Sequence, residues 1–250
     1  MSESPPFSDR EVERYARHLV LRELGGPGQQ KLKAASVLLV GAGGIGAPAA
    51  LYLAAAGVGR IGLLDDDRVS LSNLQRQILY SEHDVGRSKV EAGRERLQAL
   101  NGDIRVEALP LRVEADNAGA LLGGWDMVVD GSDNFETRLT VSDACVALGA
   151  PLVSAALGRW EAQVGLFCGR PCYRCLVREV PPQAETCAAV GIVGALAGAA
   201  GSMAALLAVR TIAGVGDGAA GRLMMLDGLS WRTRVLDVRA DPVCAGCGRS

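Results

Sequence analysis

Four of the seven cysteines stand in two C-x-x-C pairs, a spacing that is typical of metal binding. The pairs are Cys172 with Cys175, in "CYRC", and Cys244 with Cys247, in "CAGC". Four thiolates from two such turns form the tetrahedral sulfur set of a structural zinc site and leave no open position for catalysis. A redox pair is the alternative. Because the two pairs supply all four ligands, we expect a Zn²⁺ ion that attaches the last residues of the chain to the domain.

The other three cysteines lie outside these pairs. Cys145 falls on the apolar face of a predicted helix and Cys168 at the end of a predicted strand, so both are expected to be buried core thiols. Cys187 stands in the polar, proline-bearing segment "PPQAETC", where an exposed thiol near a helix N-terminus would ionise more easily. A chemical and a structural role for Cys187 both stay open.

A second candidate site begins with the glycine-rich stretch "GAGGIG", which lies between a predicted strand and a predicted helix. The stretch fits G-x-G-x-x-G, and its glycines are Gly41, Gly43, Gly44 and Gly46. Such glycines permit a tight turn and close backbone approach, while the N–H groups of the helix face phosphate. Asp65 ends the next predicted strand, where it would accept hydrogen bonds from a ribose hydroxyl. The stretch predicts nucleotide binding without selecting the nucleotide, and glycines used only for turn and packing are the alternative.

Two cations follow the glycine loop in the chain. Arg76, in "SLSNLQRQ", lies on a loop that a doubly wound sheet places near phosphates, and Lys89 begins a predicted helix in "VGRSK". A cation in a first helical turn opposes the helix dipole by about 0.3–1 kcal/mol, which points to a ligand. Two cations beside phosphates suit transfer at phosphorus better than hydride transfer. For each residue, a solvated surface charge is the alternative.

Asp133 follows the apolar run "MVV" in "DGSDN" and would lie at the carboxyl edge of the sheet. A carboxylate there can hold Mg²⁺ between phosphate oxygens. A cap on the helix that begins near Phe135 is equally consistent with the motif. The two histidines, His18 and His83, have no acid–base partner pattern and receive no role.

The elements that must position these residues alternate along the chain. The segments "SVLLV", "RIGLLD", "IRVEAL", "DMVVD" and "PLVSAAL" are typical of strands, and "GIGAPAALYLAAAG", "RSKVEAGRERLQAL" and "RLTVSDACVALG" are typical of the helices between them. The later segments "AQVGLF", "RLMML" and "TRVLDV" favour an antiparallel extension. This pattern predicts an α/β fold: a Rossmann-like, doubly wound, mostly parallel sheet with an antiparallel C-terminal extension and a structural zinc site.

A chain of 250 residues fits one large α/β domain, which we expect here. Its 26 basic and 28 acidic side chains nearly cancel, so nothing favours nucleic acid or an anionic membrane as a partner. The polar N-terminus lacks the apolar run of a signal peptide, which favours the cytoplasm. From Ala188 to Val209 no residue is charged, and a membrane span is the alternative there. Because Ala and Gly dominate this segment, we expect a buried or subunit-contacting helix instead.

Taken in order, these motifs resemble those of the MoeB/ThiF family, the sulfur-carrier adenylyltransferases of molybdopterin and thiamine biosynthesis, which are related to ubiquitin-activating enzymes. The resemblance covers nearly the whole chain, from "RYARHLVL" to "CAGCG", and includes "GAGGIG", "LLDDDRVSLSNLQRQ", "VGRSK", "DGSDN", "PLVSAAL", "CYRC" and "ETC". It implies one adenylation domain over residues 1–250. Its parts would be a helical arm at 8–33, a nucleotide-binding core at 34–158 and a carrier-binding, zinc-bearing part at 159–250.

The resemblance also implies a reaction. The C-terminal glycine carboxylate of a small ubiquitin-like carrier protein, which ends in Gly-Gly, attacks ATP at the α-phosphorus and yields a carrier acyl-adenylate and pyrophosphate. In this sequence the implied roles are ribose binding by Asp65, phosphate binding by Asn73, Arg76 and Lys89, and Mg²⁺ binding by Asp133.

Arg17, the second arginine of "RYAR", matches a family residue that reaches into the ATP site of the partner subunit, so the resemblance implies a homodimer. An ordinary surface arginine on an amphipathic helix is the alternative. The chain departs from the family after Cys187, where Ala189 and Ala195 replace an acidic residue and a proline. This departure leaves the adenylation residues unchanged but counts against a covalent role for Cys187. Since no sulfurtransferase domain follows "CAGC", a separate protein is expected to donate sulfur.

The favoured hypothesis is ATP-dependent adenylation of a carrier protein. A NAD-dependent oxidoreductase could use the same glycine loop, but no proton donor is evident. A noncatalytic, zinc-stabilised scaffold is the third hypothesis, and full function after loss of Arg76 and Asp133 would favour it. The sequence leaves open whether the carrier serves molybdopterin, thiamine or another sulfur-incorporation route, because that choice depends on surface complementarity.

Overall fold

The computed structural model of the chain describes residues 7–180 and 191–248. Cys187 and Ala189 lie outside the described residues. The described strands are β1 (Ser36–Val40), β2 (Arg60–Leu64), β3 (Arg105–Leu109), β4 (Met127–Asp130), β5 (Leu152–Gly158), β6 (Glu161–Phe167), β7 (Arg222–Asp227) and β8 (Arg232–Asp237). The described helices are α1 (Asp9–Arg14), α2 (Ala16–Leu19), α3 (Gly25–Ala34), α4 (Gly46–Ala56), α5 (Lys89–Leu100), α6 (Ala118–Leu122), α7 (Phe135–Leu148), α8 (Tyr173–Leu176) and α9 (Gly194–Ala213).

These strands form one eight-stranded sheet in the order β3-β2-β1-β4-β5-β6-β7-β8. The first five in this order pair in parallel, and β5 to β8 pair antiparallel. The predicted fold class, a mostly parallel sheet with an antiparallel C-terminal extension, is confirmed. Successive strands of the parallel part are linked through helices, as parallel pairing requires.

The sheet has an apolar core on each face. Along β1, Val37 and Leu39 join the cluster beneath α4, α5 and α9, whereas Leu38 and Val40 join the cluster beneath α6 and α7. This division follows from the alternation of side chains along a strand. Since both faces are covered, β1 and β4 are buried at every position, and their near-continuous apolar sequences reflect that burial.

The strand order reverses beside β1, where the functional motifs lie. From β1 the chain builds outward through β2 to β3 on one side, and then returns to place β4 and β5 on the other. The carboxyl ends of β1 and β4 therefore flank a crevice, the place where ligands bind in such sheets. "GAGGIG" follows β1 and "DGSDN" follows β4, so the topology brings both motifs to the same crevice.

Helix α9 is long and apolar enough to cross a membrane by length and composition alone. It packs against α3, α4, β5 and β6. Gly201 lies so close to α4 that an added Cβ would approach the Ile45 carbonyl oxygen to 2.3 Å. The small residues of α9 thus allow close helix packing within the protein, as expected. On the opposite face of α9, Leu206 is 66% exposed.

Candidate functional site

The glycine turn after β1 is tightly closed and leaves open space on one side. Gly41 adopts a φ of +86°, which favours glycine, and an added Cβ at Gly46 would lie 1.9 Å from the Gly41 carbonyl oxygen. Gly43 differs, since a Cβ there would meet only the Gln77 side chain, at 3.5 Å, among the described residues. Gly41 and Gly46 therefore close the turn, and Gly43 leaves space toward the cleft.

The crevice contains a cavity of about 320 Å³. Most of the predicted nucleotide residues line it: Gly41, Gly43, Gly44, Asp65, Arg76, Lys89 and Asp133. Gly46 closes the turn behind them, and Asn73 is not among the described residues that line the cavity. We call this cavity the nucleotide cleft.

Lys89 lies at the start of α5, as the sequence predicts, and is 5% exposed. Its Nζ atom is 2.7 Å from Oδ2 of Asp67 and 3.9 Å from Oδ2 of Asp65. The Asp65 carboxylate accepts hydrogen bonds from the backbone N–H groups of Ala42, at 2.8 Å, and Asp67, at 2.9 Å. Burial raises the pKa of Asp65, while Lys89 opposes this shift. Asp65 thus ties the glycine turn to β2, and Lys89 holds a positive charge beside it.

Arg76 and Asn73 belong to the short loop that follows β2. The Arg76 Nη1 atom donates to the Ser72 carbonyl oxygen at 3.1 Å, which orients the side chain toward the cleft that it lines. The Asn73 Oδ1 atom instead accepts from the Ser70 N–H at 3.3 Å and closes a 3₁₀ turn. Phosphate binding by Asn73 stays a prediction, while its described contact supports the loop that carries Arg76.

In the "DGSDN" motif, the helix cap is Asn134 rather than Asp133. Asn134 caps α7, since its Oδ1 atom accepts from the Thr137 N–H at 2.9 Å. Asp133 is exposed in the cleft, and its side chain is 3.4 Å from Asn134 Nδ2. Helix capping therefore does not occupy Asp133, and its carboxylate suits an oxygen-seeking cation such as Mg²⁺.

The cleft is also lined by polar residues that sequence analysis did not assign, among them Gln77, Arg112 and Arg138. Gln77 is 3% exposed, and its Oε1 atom has no hydrogen-bond partner in the described part of the chain. It belongs to the same "SLSNLQRQ" stretch as Arg76. The signal for Arg138 was its place four residues after the cap Asn134, which puts both on one face of the first turns of α7.

Arg138 fastens the loop that carries Asp133. Its Nε and Nη2 atoms donate to the Ser132 carbonyl oxygen at 3.2 and 2.6 Å, and it is 5% exposed. The fully buried Asp130 accepts from the Ser132 N–H at 2.9 Å through Oδ1. Burial raises the pKa of Asp130, and the Arg138 guanidinium opposes this shift.

The two C-x-x-C pairs meet in space. The Sγ atoms of Cys172 and Cys244 are 3.6 Å apart, those of Cys175 and Cys247 are 3.4 Å apart, and all four lie within 4.8 Å of one another. Zn–S bonds of about 2.3 Å in a tetrahedron place sulfurs about 3.8 Å apart. The donor set and spacing fit Zn²⁺ with a closed shell, as the sequence predicts.

The remaining cysteines divide differently from the prediction. Cys145 is buried on α7, as expected, and burial raises the pKa of its thiol to about 12. The prediction for Cys168 was wrong, because this residue is exposed. Strand β6 ends at Phe167, so Cys168 begins the following turn and lacks the neighbouring strands that cover the residues before it.

Arg17 lies on α2, is exposed and does not line the cleft among the described residues. The arrangement within one chain offers a glycine turn, the cations Arg76 and Lys89, and the carboxylates of Asp65 and Asp133. These groups suit a nucleoside triphosphate with a divalent cation. Their cations would neutralise negative charge on phosphate oxygens, which favours chemistry at phosphorus.

Comparison with known proteins agrees with this geometry. The chain is 45% identical over 251 residues to a sulfur carrier protein adenylyltransferase of Thermus thermophilus, covering 97% of this chain and 93% of that protein. It is also 45% identical to the adenylyltransferase and sulfurtransferase MOCS3 of Anopheles gambiae, covering 98% of this chain but 56% of that longer protein. In fold it is similar to the crystal structure of E. coli MccB with MccA-N7isoASN, with a TM-score of 0.85 at 24% identity over 97% of this chain and 76% of that chain. The model of the ThiF family matches residues 15–246, and this chain belongs to the ThiF family.

Proposed function

We propose that this protein adenylates the C-terminal glycine carboxylate of a small ubiquitin-like sulfur-carrier protein at the expense of ATP and releases pyrophosphate. The observation that carries the proposal is the nucleotide cleft, where the glycine turn meets Arg76, Lys89 and Asp133 at the strand-order reversal. The relative from Thermus thermophilus, named a sulfur carrier protein adenylyltransferase, supports the same activity.

In this proposal ATP binds with its phosphates over the glycine turn and its ribose at Asp65. The carrier carboxylate attacks the α-phosphorus, and negative charge develops on the phosphate oxygens as pyrophosphate leaves. Arg76 and Lys89 neutralise that charge, a contribution of about 2.7–4 kcal/mol for one well-placed group. Asp133 would hold Mg²⁺, which neutralises further charge on the phosphates.

Lys89 would exchange partners when ATP binds. In the described structure its Nζ atom pairs with Asp67, whose side chain is 68% exposed. A phosphate can take the place of this carboxylate, because the exposed Asp67 can move into solvent while the buried Lys89 stays in place. The Lys89 ammonium group thus already lies beside the glycine turn, and its side chain needs little reorganisation before the reaction.

The remaining parts of the proposal concern domain organisation, subunit assembly, cellular location and pathway. We propose one adenylation domain over residues 1–250, with a helical arm at 8–33, a nucleotide-binding core at 34–158 and a carrier-binding part at 159–250, and the single sheet supports this proposal. We propose a homodimer in which Arg17 completes the partner's cleft, and a separate protein that donates sulfur. We place the enzyme in the cytoplasm, without nucleic-acid or membrane partners, and its carrier in molybdopterin or thiamine biosynthesis.

The test is to incubate the protein with ATP, Mg²⁺ and a candidate carrier, and then to follow pyrophosphate exchange and the carrier mass. We expect exchange and a carrier adenylate with a carrier that ends in Gly-Gly, and neither with the same carrier lacking its last glycine. Running molybdopterin and thiamine carriers side by side identifies the route. Failure with every such carrier, or binding of NAD without a response to ATP, would contradict the proposal.

A further inference from the structure

Tyr80 lies at the end of the loop that carries Arg76 and Gln77, and its hydroxyl reaches back to the glycine turn. The hydroxyl donates to the Ala42 carbonyl oxygen at 2.8 Å, across 38 positions of the chain. The Tyr80 side chain is 8% exposed and packs in the apolar cluster beneath α4, α5 and α9. A phenylalanine would fill the same apolar space, so the hydroxyl supplies a polar contact that packing does not require.

This contact completes a set of hydrogen bonds that holds Ala42 on both sides. The Ala42 N–H donates to Oδ2 of Asp65 at 2.8 Å, and the Ala42 carbonyl oxygen accepts from Tyr80. Burial raises the pKa of Tyr80, so its hydroxyl keeps the proton that it donates. Asp65 therefore orients the peptide group before Ala42, and Tyr80 orients the peptide group after it.

The peptide group after Ala42 includes the N–H of Gly43. This peptide bond is trans, so the Ala42 carbonyl and the Gly43 N–H point in opposite directions. Tyr80 contacts the turn from the apolar core, whereas Gly43 lines the nucleotide cleft. In residues 7–180 and 191–248 the Gly43 N–H has no backbone acceptor. Fixing the carbonyl toward the core thus leaves this N–H directed at the cleft, where it can donate to a phosphate oxygen.

The same contact joins the glycine turn to the loop of Arg76. An added Cβ at Gly44 would lie 3.4 Å from Cγ of Arg76, so the Arg76 side chain packs against the turn. The Tyr80 N–H donates to the Gln77 carbonyl oxygen at 3.2 Å, which ties Tyr80 to its own loop. The Tyr80 hydroxyl therefore links the segment that supplies the cation to the segment that supplies the backbone N–H donors.

We propose that Tyr80 is a positioning residue for the phosphate end of the nucleotide cleft. Its hydroxyl fixes the peptide group between Ala42 and Gly43, so that the Gly43 N–H faces the phosphates beside Arg76. Because glycine is conformationally permissive, this peptide group is free to rotate once the hydroxyl is removed. The inference rests on the proposed nucleotide site and adds to it a residue that acts from the core.

The test compares Tyr80→Phe with the wild type by titration calorimetry with ATP and Mg²⁺, with Tm measured on the same samples. The variant keeps the ring, so we expect a folded protein whose Kd for ATP rises about three- to tenfold. The Kd for adenosine, measured by competition with ATP, should stay unchanged because adenosine has no phosphates. The matched control is Tyr15→Phe, which removes the hydroxyl of a 4% exposed residue that accepts from Asn101, outside the cleft. We expect this control to leave both Kd values unchanged.

A second measurement follows the Gly43 amide itself, in protein labelled with ¹⁵N-glycine. In the wild type its resonance should shift when ATP and Mg²⁺ are added, and in Tyr80→Phe the shift should be smaller. An unchanged Kd for ATP in Tyr80→Phe, an equal loss of adenosine binding, an equal rise in Tyr15→Phe, or a Gly43 amide that ATP does not affect would overturn the inference while leaving the nucleotide site in place. Absence of ATP binding by the wild type would overturn the proposed nucleotide site and this inference with it.

Discussion

Lys89 and Asp67 form an ion pair at the nucleotide cleft, with Nζ and Oδ2 2.7 Å apart. The cation is almost fully covered and the anion is mostly in solvent, so the two partners differ in mobility. Lys33 and Glu11 form a pair of the same length far from the described lining of the cleft. Comparing the loss of Lys89 with the loss of Lys33 therefore separates an electrostatic role of Lys89 in the cleft from the effect of losing an ordinary salt bridge.

We expect Lys89→Ala to slow single-turnover carrier adenylation by about 10²–10³-fold, because it removes a cation that neutralises the developing phosphate charge. Lys33→Ala is the control and should leave the rate unchanged. Wild-type rates in Lys89→Ala would remove this residue from the proposed site.

A second prediction concerns the pH dependence of stability. Burial raises the pKa of Asp65 above the ordinary value of 3.8, so the folded state holds this proton more tightly than the unfolded state. The Asp65 contribution to the free energy of unfolding is therefore most favourable at low pH. It falls as the pH rises from 3.8 through the raised pKa.

Asp65→Asn lacks this titration and provides the comparison. Urea unfolding across the acidic range should show that the free energy of unfolding of the wild type, minus that of Asp65→Asn, decreases as the pH rises and then levels off. A difference that stays constant, or that grows with pH, would show that Asp65 is not held in the buried environment described here.

The third prediction tests the shared active site. If Arg17 completes the partner's cleft, Arg17→Ala and Arg76→Ala should each be nearly inactive, yet mixed subunits should recover activity. A heterodimer of the two variants has one site with both changes and one with neither. Random exchange makes about half of the dimers heterodimers, so about a quarter of wild-type activity should return.

The measurement is the adenylation rate after the two variants are unfolded together and refolded, with each variant refolded alone as the control. Recovery in the mixture requires that the two residues act from different subunits. An inactive mixture of well-folded dimers would place Arg17 and Arg76 in the same site of one chain.

The cysteine cluster yields a fourth prediction. Cys244→Ser should lose bound zinc and lower Tm, because three thiolates no longer close the tetrahedral shell that joins the chain end to α8. Cys168→Ser is the matched control, since its thiol is exposed and lies outside the cluster. Elemental analysis and thermal unfolding measure both effects, and a Cys244→Ser protein with one zinc and the parental Tm would refute the metal assignment.

Much of the cleft was predictable from local sequence. "GAGGIG" determines a turn that few other residues could form, since an added Cβ at Gly46 would lie 1.9 Å from the Gly41 carbonyl oxygen. Each C-x-x-C pair likewise sets the spacing of two metal ligands by its own sequence. The alternation of apolar strands and helices predicted the sheet, and the resemblance to the MoeB/ThiF family is confirmed by membership in the ThiF family. The roles of the individual site residues stay predictions, those of Asp65, Arg76 and Lys89 as well as those of Asn73, Arg17, Asp133 and Cys187.

What the sequence by itself determined were the features set by near neighbours in the chain: the glycine turn, the strands and helices, and the two cysteine knuckles. Only the tertiary structure decided that Lys89 pairs with Asp67 and that the two cysteine pairs meet, because these groups come from separate segments that the fold brings together. It also decided that Cys168 is exposed, since burial at a strand end depends on whether neighbouring strands extend that far. Long-range packing has no local signature in the chain, and that is why the burial of Arg138 and Gln77 beside the cleft was seen only in the folded protein.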